Sequence, residues 1–187
     1  EVNTAIVFNY ILAVGSMGDD NIKQFDKLID AYANSVLPIN NISLVILGEG
    51  PRKEFLHQYT ESKGLSGRII FKEFQVNPYV YMQKALFFVL SSKYEGLPMV
   101  LLESLACSTP VVAFDCFTGP SEIILDKVNG LLIENQNIEK LTEGINLMFE
   151  DKVLYHNCKQ NAVASTKKFS LETIGEQWMK YLKIDNN

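Results

Sequence analysis

The chain has 187 residues, 47% of them apolar, and a formal net charge of −5. This is enough for one domain with a substantial core and too little for two full doubly wound domains, and the acidic balance lacks the basic face of a nucleic-acid binder. An odd set of three cysteines, Cys107, Cys116 and Cys158, without metal-ligand spacing points to a reducing, cytoplasmic setting, and no apolar run approaches the ~18 residues of a membrane span.

Residues 1–9 read as the end of a linker from a missing N-terminal domain, with one folded domain over 10–187. Tyr10 to Val14 is a buried strand closed by Gly15-Ser16-Met17-Gly18, and Phe25, Leu28, Ile29 and Tyr32 recur at helical spacing, predicting a helix from Ile22 to Ser35. Ile42 to Leu47 is the second strand; Gly48-Glu49-Gly50-Pro51 turns into a helix ending near Lys63. A short third strand, Arg68 to Phe71, precedes a small helix opened by Pro78 and a fourth strand, Leu86 to Leu90. A helix from Pro98 to Cys107, a strand from Pro110 to Phe114, a short helix from Pro120 to Leu125 and a strand from Gly130 to Ile133 follow, then two or three amphipathic helices ending in one that carries Ile174, Trp178, Tyr181 and Leu182. Such βα alternation predicts an α/β doubly wound six-stranded parallel sheet of order 3-2-1-4-5-6, with extra C-terminal helices.

In that topology a ligand sits where the strand order reverses, between the loops Gly15 to Asp20 and Ser91 to Leu97. The second loop runs into Glu95-Gly96-Leu97-Pro98-Met99-Val100-Leu101-Leu102-Glu103. Pro98 suits the first helical position. Free N–H groups of Leu97, Met99 and Val100 beside Gly96, backed by the helix dipole, make an anion site. Glu103 lies roughly 7 to 8 Å along the helix, the distance at which the ribose of a bound diphosphate meets a carboxylate.

Glu95 and Glu103 with seven residues between, carried in Ser91-Ser92-Lys93-Tyr94-Glu95-Gly96-Leu97-Pro98 and followed by Glu103-Ser104-Leu105-Ala106-Cys107-Ser108-Thr109-Pro110-Val111-Val112, resemble the C-terminal donor-binding domain of the retaining GT-B glycosyltransferases of family 4, the glycosyl transferases group 1. The likeness extends from Tyr10 to Ile133, with a fitting helical tail. It implies one half of a GT-B fold that binds a nucleotide diphosphate sugar. Glu103 would then accept from the ribose, and Glu95 and Lys23 would be the catalytic pair, at the sugar and the diphosphate respectively. Members commonly place Gly-Arg after the first strand; here Ser16 follows Gly15, which removes a bidentate phosphate contact that a lysine does not reproduce. Lys93 is a candidate second cation, while Asp19 and Asp20 make the loop less hospitable to anions. Phe74, in Glu73-Phe74-Gln75, falls where the family holds the base, or is core; Cys116 to Glu122 resembles the segment lining the sugar side, or is an ordinary helix start at Ser121 and Glu122. His57 and His156 fall on helices outside the crevice.

The implied reaction transfers a hexose from a nucleotide diphosphate sugar, UDP by family frequency, to a glycan or lipid-linked acceptor with retention. The resemblance implies that no metal or other cofactor is needed, which fits the absence of an Asp-x-Asp motif at the diphosphate site; Asp19-Asp20 does not match that pattern. Surface polysaccharide biosynthesis, capsule or lipopolysaccharide, at the inner face of the membrane would suit such an enzyme, whose acceptor site lies on the missing domain. Three alternatives stay open: a catalytically inactive nucleotide-sugar-binding or interaction domain, a GT-B-type epimerase, and a flavodoxin-like response module, for which the acidic cluster plus lysine at the strand ends is lacking.

Overall fold

A computed structural model describes residues 9–183; the expected linker, apart from Asn9, lies outside them. Six parallel strands, β1 (Tyr10–Val14), β2 (Ser43–Leu47), β3 (Ile69–Lys72), β4 (Phe88–Leu90), β5 (Val111–Asp115) and β6 (Gly130–Glu134), form one sheet in the order β3-β2-β1-β4-β5-β6. The expected order therefore holds. Because strand side chains alternate, each strand feeds two cores. Ile11, Leu44, Ile46, Val112 and Phe114 pack under α1 (Phe25–Ala33), α2 (Lys53–Ser62) and α6 (Ile138–Glu150). On the opposite face Tyr10, Leu12, Val45, Phe88 and Val111 pack under α3 (Tyr79–Lys84), α4 (Met99–Ala106) and α5 (Pro120–Ile123). Helices on both faces of a parallel sheet account for its nearly continuous apolar strands.

The tail holds α6, α7 (Lys152–Ser165), a turn of 3-10 helix (Lys167–Phe169) and α8 (Leu171–Leu182). Each of its α-helices opens on a side-chain cap: Asn137 accepts from the Lys140 N–H, Asp151 from Val153 and Leu154, and Ser170 from Thr173. Whereas α6 buries Leu141, Ile145 and Met148, α8 buries no residue and exposes Leu171, Trp178 and Tyr181.

Three expected boundaries are corrected. α1 begins at Phe25, not Ile22, because Asn21 and Gln24 hold left-handed backbone at φ 50° and 48°. Pro98 caps α4 instead of occupying its first turn: its ψ of 93° is extended, although its carbonyl accepts from the Leu101 N–H at 2.9 Å. α5 ends at Ile123, short of Leu125, because the buried Asn129 side chain takes the bonds that would have continued the helix, donating to the Ile123 carbonyl and accepting from the Leu125 N–H.

Candidate functional site

Two cavities meet at Ser16, at the C-terminal ends of β1 and β4 where the strand order reverses. The first, about 450 Å³, is walled by Gly15, Gly48, Phe74, Gln75, Pro78 and Glu103. The second, about 350 Å³, is walled by Asp20, Lys23, Tyr94, Glu95 and Gly96. The two cavities thus adjoin at Ser16, with Glu103 on the first and Glu95 on the second.

Backbone bonds build the wall beside β2. The Gly15 N–H donates to the Leu47 carbonyl at 3.0 Å, Met17 to Glu49 at 2.8 Å, and Gly48 to Lys72 at 3.0 Å. The loops lie so close that a Cβ at Gly48, whose φ is +150°, would stand 1.9 Å from the Gly15 carbonyl oxygen. On the α4 side, Glu103 is the half-buried residue in a stretch where Leu101, Leu102, Ser104 and Leu105 are all buried. Its carboxylate has no ion-pair or hydrogen-bond partner among the described residues, which leaves all its acceptor capacity to the first cavity. The N–H groups of Gly96, Leu97, Met99 and Val100 also lack acceptors among the described residues, as expected of a helix start.

The second cavity is held by side chains. Lys23 Nζ lies 2.6 Å from Glu95 Oε1, with the two side chains only 22% and 12% exposed, so solvent screens this pair less than a surface bridge. Ser92 Oγ donates to the same Oε1 at 2.6 Å, and Ser91 Oγ donates to the Lys23 carbonyl at 2.7 Å. Thr118 donates to the Glu95 carbonyl, bringing in the segment ahead of α5. That segment can approach because Gly119 sits at φ +94°; a Cβ there would be 2.2 Å from the Gly96 carbonyl oxygen.

Of the residues singled out in the sequence, Gly15, Ser16, Phe74 and Glu103 line the first cavity, and Ser16, Lys23, Glu95 and Gly96 the second. Phe74 is exposed, which removes the core alternative. Leu97, Met99 and Val100 stand at the head of α4, outside both linings. Lys93 lines neither: its backbone N–H donates to Ile22, and its ammonium lies 5.9 Å from the centre of the Tyr94 ring. Glu122 spends its carboxylate capping α5 through the Gly119 N–H. His57 packs against Phe71 on α2 and His156 lies on α7, both outside the crevice. Sequence reasoning missed Glu49, Pro78 and Tyr94 as lining residues, and Ser92 and Thr118 as partners of Glu95. Glu49 was visible only as a turn residue between two glycines, whereas Ser92 stood inside the quoted motif.

No thiolate nucleophile is prepared here. Burial, then the charge of Glu95, pushes the Cys116 thiol up, and burial with the charge of Glu103 does the same to Cys107.

The family model of glycosyl transferases group 1 matches residues 8–164. The chain belongs to this family. It is 37% identical over 178 residues to the N-acetylgalactosamine-N,N'-diacetylbacillosaminyl-diphospho-undecaprenol 4-alpha-N-acetylgalactosaminyltransferase of Campylobacter jejuni, covering 95% of this chain and 47% of that protein. Among solved structures, a TarM point mutant of S. aureus in complex with fondaparinux, alpha-GlcNAc-glycerol and UDP superposes with a TM-score of 0.84 at 30% identity, over 92% of this chain and 35% of the other. Anabaena HepE in complex with UDP-glucose superposes at 0.82 with 26% identity, over 94% and 49%. These GT-B neighbours share the fold of the domain described here, and this chain spans less than half the length of the curated relatives it matches. No helix among the described residues is long and apolar enough to cross a membrane.

Proposed function

We propose that this chain is the donor half of a retaining, metal-independent hexosyltransferase. It binds a UDP-sugar with the nucleoside in the first cavity and the sugar in the second. The observation that carries this reading is the Glu103 carboxylate, without a partner among the described residues, on a cavity that adjoins at Ser16 the one walled by the Lys23–Glu95 pair. A ribose diol is the kind of neutral double donor that such a carboxylate can hold, and the N–H groups at the head of α4 suit the diphosphate. The names of the two solved neighbours include UDP and UDP-glucose, which supports UDP as the carrier.

In the proposed reaction the bond between the sugar C1 and the β-phosphate oxygen breaks, with its electron pair leaving on the diphosphate. The acceptor oxygen bonds C1 from the same face and its proton passes to the departing phosphate oxygen. Lys23, having three N–H donors and one of them on Glu95, can serve the diphosphate as well, stabilising the charge that develops there. The acceptor, a glycan or lipid-linked sugar in surface polysaccharide synthesis, would dock on the part of the relatives' length that this chain does not span, at the cytoplasmic face of the membrane. The apolar face of α8, with Trp178 58% exposed, is suited to packing on that part.

Calorimetric titration with UDP, GDP and ADP tests the reading. Binding of UDP in preference to the other two is expected; failure to bind any of them would overturn it. Transfer by this chain alone at the rate of a full-length relative would overturn its role as one half of an enzyme. A second reading, a nucleotide-binding domain without catalysis, is favoured by one observation: the second cavity carries Ser16, at the position for which the family resemblance implies an arginine, together with Asp20. It predicts affinity indifferent to the sugar.

Ser16→Arg is expected to tighten UDP binding by roughly tenfold, since a charge-assisted contact to phosphate contributes about 1.5 to 3 kcal/mol and the nearby Asp20 competes for the new cation. The gain should shrink as salt rises. Titration at two ionic strengths checks it; unchanged affinity at both would show that position 16 does not face the phosphates.

A further inference from the structure

The Glu95 carboxylate is engaged on one oxygen only. Oε1 receives both the Lys23 ammonium and the Ser92 hydroxyl, each at 2.6 Å, and Oε2 has no hydrogen bond among the described residues. Ser92 is fully buried, whereas Glu95 lines the second cavity, so the hydroxyl cannot meet a ligand there except through the carboxylate. Its neighbour Ser91, also buried, holds the Lys23 carbonyl. Two adjacent buried hydroxyls thus secure the two members of the ion pair separately.

We infer that Ser92 is a positioning residue for sugar selection: it fixes the rotation of the Glu95 carboxylate so that Oε2 is the acceptor presented to the donor's sugar hydroxyls. This rests on the reading of the second cavity as the sugar site. A carboxylate tied by Lys23 alone would be free to turn whenever an anionic diphosphate draws the ammonium away, because a flexible ammonium imposes no planar geometry. Ser92 bonds Oε1 from the protein interior and does not depend on the ligand, so it holds the orientation in free and occupied states alike. A hydroxyl of the wrong epimer then meets no acceptor, and its desolvation is uncompensated.

The test is calorimetric titration of the wild type with UDP, UDP-glucose, UDP-galactose, UDP-N-acetylglucosamine and UDP-N-acetylgalactosamine. The same series is run with Ser92→Ala, the nearly isosteric Ser92→Cys and the hydroxyl-retaining Ser92→Thr, each verified by its thermal melt. The ratio between the best and the worst sugar is expected to fall by about fivefold or more in Ser92→Ala and Ser92→Cys and to recover in Ser92→Thr, with UDP affinity moving by less than about threefold. Adding Ser92→Ala to Glu95→Gln should change the ratio no further, since the hydroxyl acts through that carboxylate. Retention of the wild-type sugar ratio in both Ser92→Ala and Ser92→Cys overturns the inference, as does an equal loss of UDP and UDP-sugar affinity, the mark of a merely structural serine. A wild type that binds UDP but ranks no sugar above another also overturns it and leaves UDP binding intact; one that binds no UDP overturns the proposed function as well.

Discussion

Glu103→Ala is expected to weaken UDP binding by about 1.5 to 3 kcal/mol, roughly tenfold to 150-fold, when the two proteins are titrated side by side in a calorimeter. The magnitude follows from the isolation of the carboxylate. It has no partner among the described residues, so truncation removes no internal bond, and the whole effect falls on the ligand. For the same reason the fold should tolerate the change: the core contacts of α4 come from Leu101, Leu102 and Leu105. Glu103→Gln should recover part of the loss, since an amide keeps one acceptor oxygen and loses the charge. A UDP affinity unaltered in the alanine variant would remove Glu103 from the ribose site and with it the main support for the proposed orientation of the nucleotide.

Gly48→Ala is expected to destabilise the fold by about 2 to 4 kcal/mol, a fall in Tm of roughly 4 to 16 °C for a chain of this size. At φ +150° an L side chain is strained, and the added methyl would stand 1.9 Å from the carbonyl oxygen of Gly15. That oxygen is backbone, and the N–H of the same residue is bonded to Leu47 at 3.0 Å, so neither loop can retreat without breaking the junction of β1 and β2. Gly64→Ala is the control. Its φ of +68° imposes left-handed strain as well, yet nothing lies within 4 Å of the added Cβ, and a loss of only about 1 to 2 kcal/mol is expected. Equal melting shifts for the two variants would mean that the collision is relieved and that conformation alone sets the cost.

The sheet was legible because each strand is a short apolar run closed by Gly, Pro or polar residues, and the strand order followed from the βα alternation. The helix ends were less so. Asn129 ends α5 by competing for its backbone bonds from six residues downstream of Ile123, a side-chain-to-backbone effect that apolar periodicity does not carry. The head of α1 depended on two non-glycine residues adopting left-handed backbone; asparagine does so readily, but nothing announces it for Gln24. In the site, Glu95, Glu103 and Lys23 could be named because charged residues at loop-to-helix junctions stand out against apolar strands. Lys93 stood out equally but is not among the lining residues; its ammonium lies over the ring of Tyr94, which is. The residues that hold Glu95, Ser92 at its carboxylate and Thr118 at its main-chain carbonyl, are small hydroxyls that look like any turn former; only their distances to Glu95 separate them from the rest.

The two walls of the crevice are made of different material. Beside β2, main-chain bonds from Gly15, Met17 and Gly48 do the joining; around Glu95 it is the side chains of Lys23, Ser92 and Thr118. A point mutation leaves a main-chain bond in place but deletes a side-chain bond outright. Divergence from a common ancestor would therefore be slight on the first wall, where a substitution such as one at Gly48 disturbs the sheet itself, and wider on the second, where one codon at a time can refit the cavity while the domain stays folded.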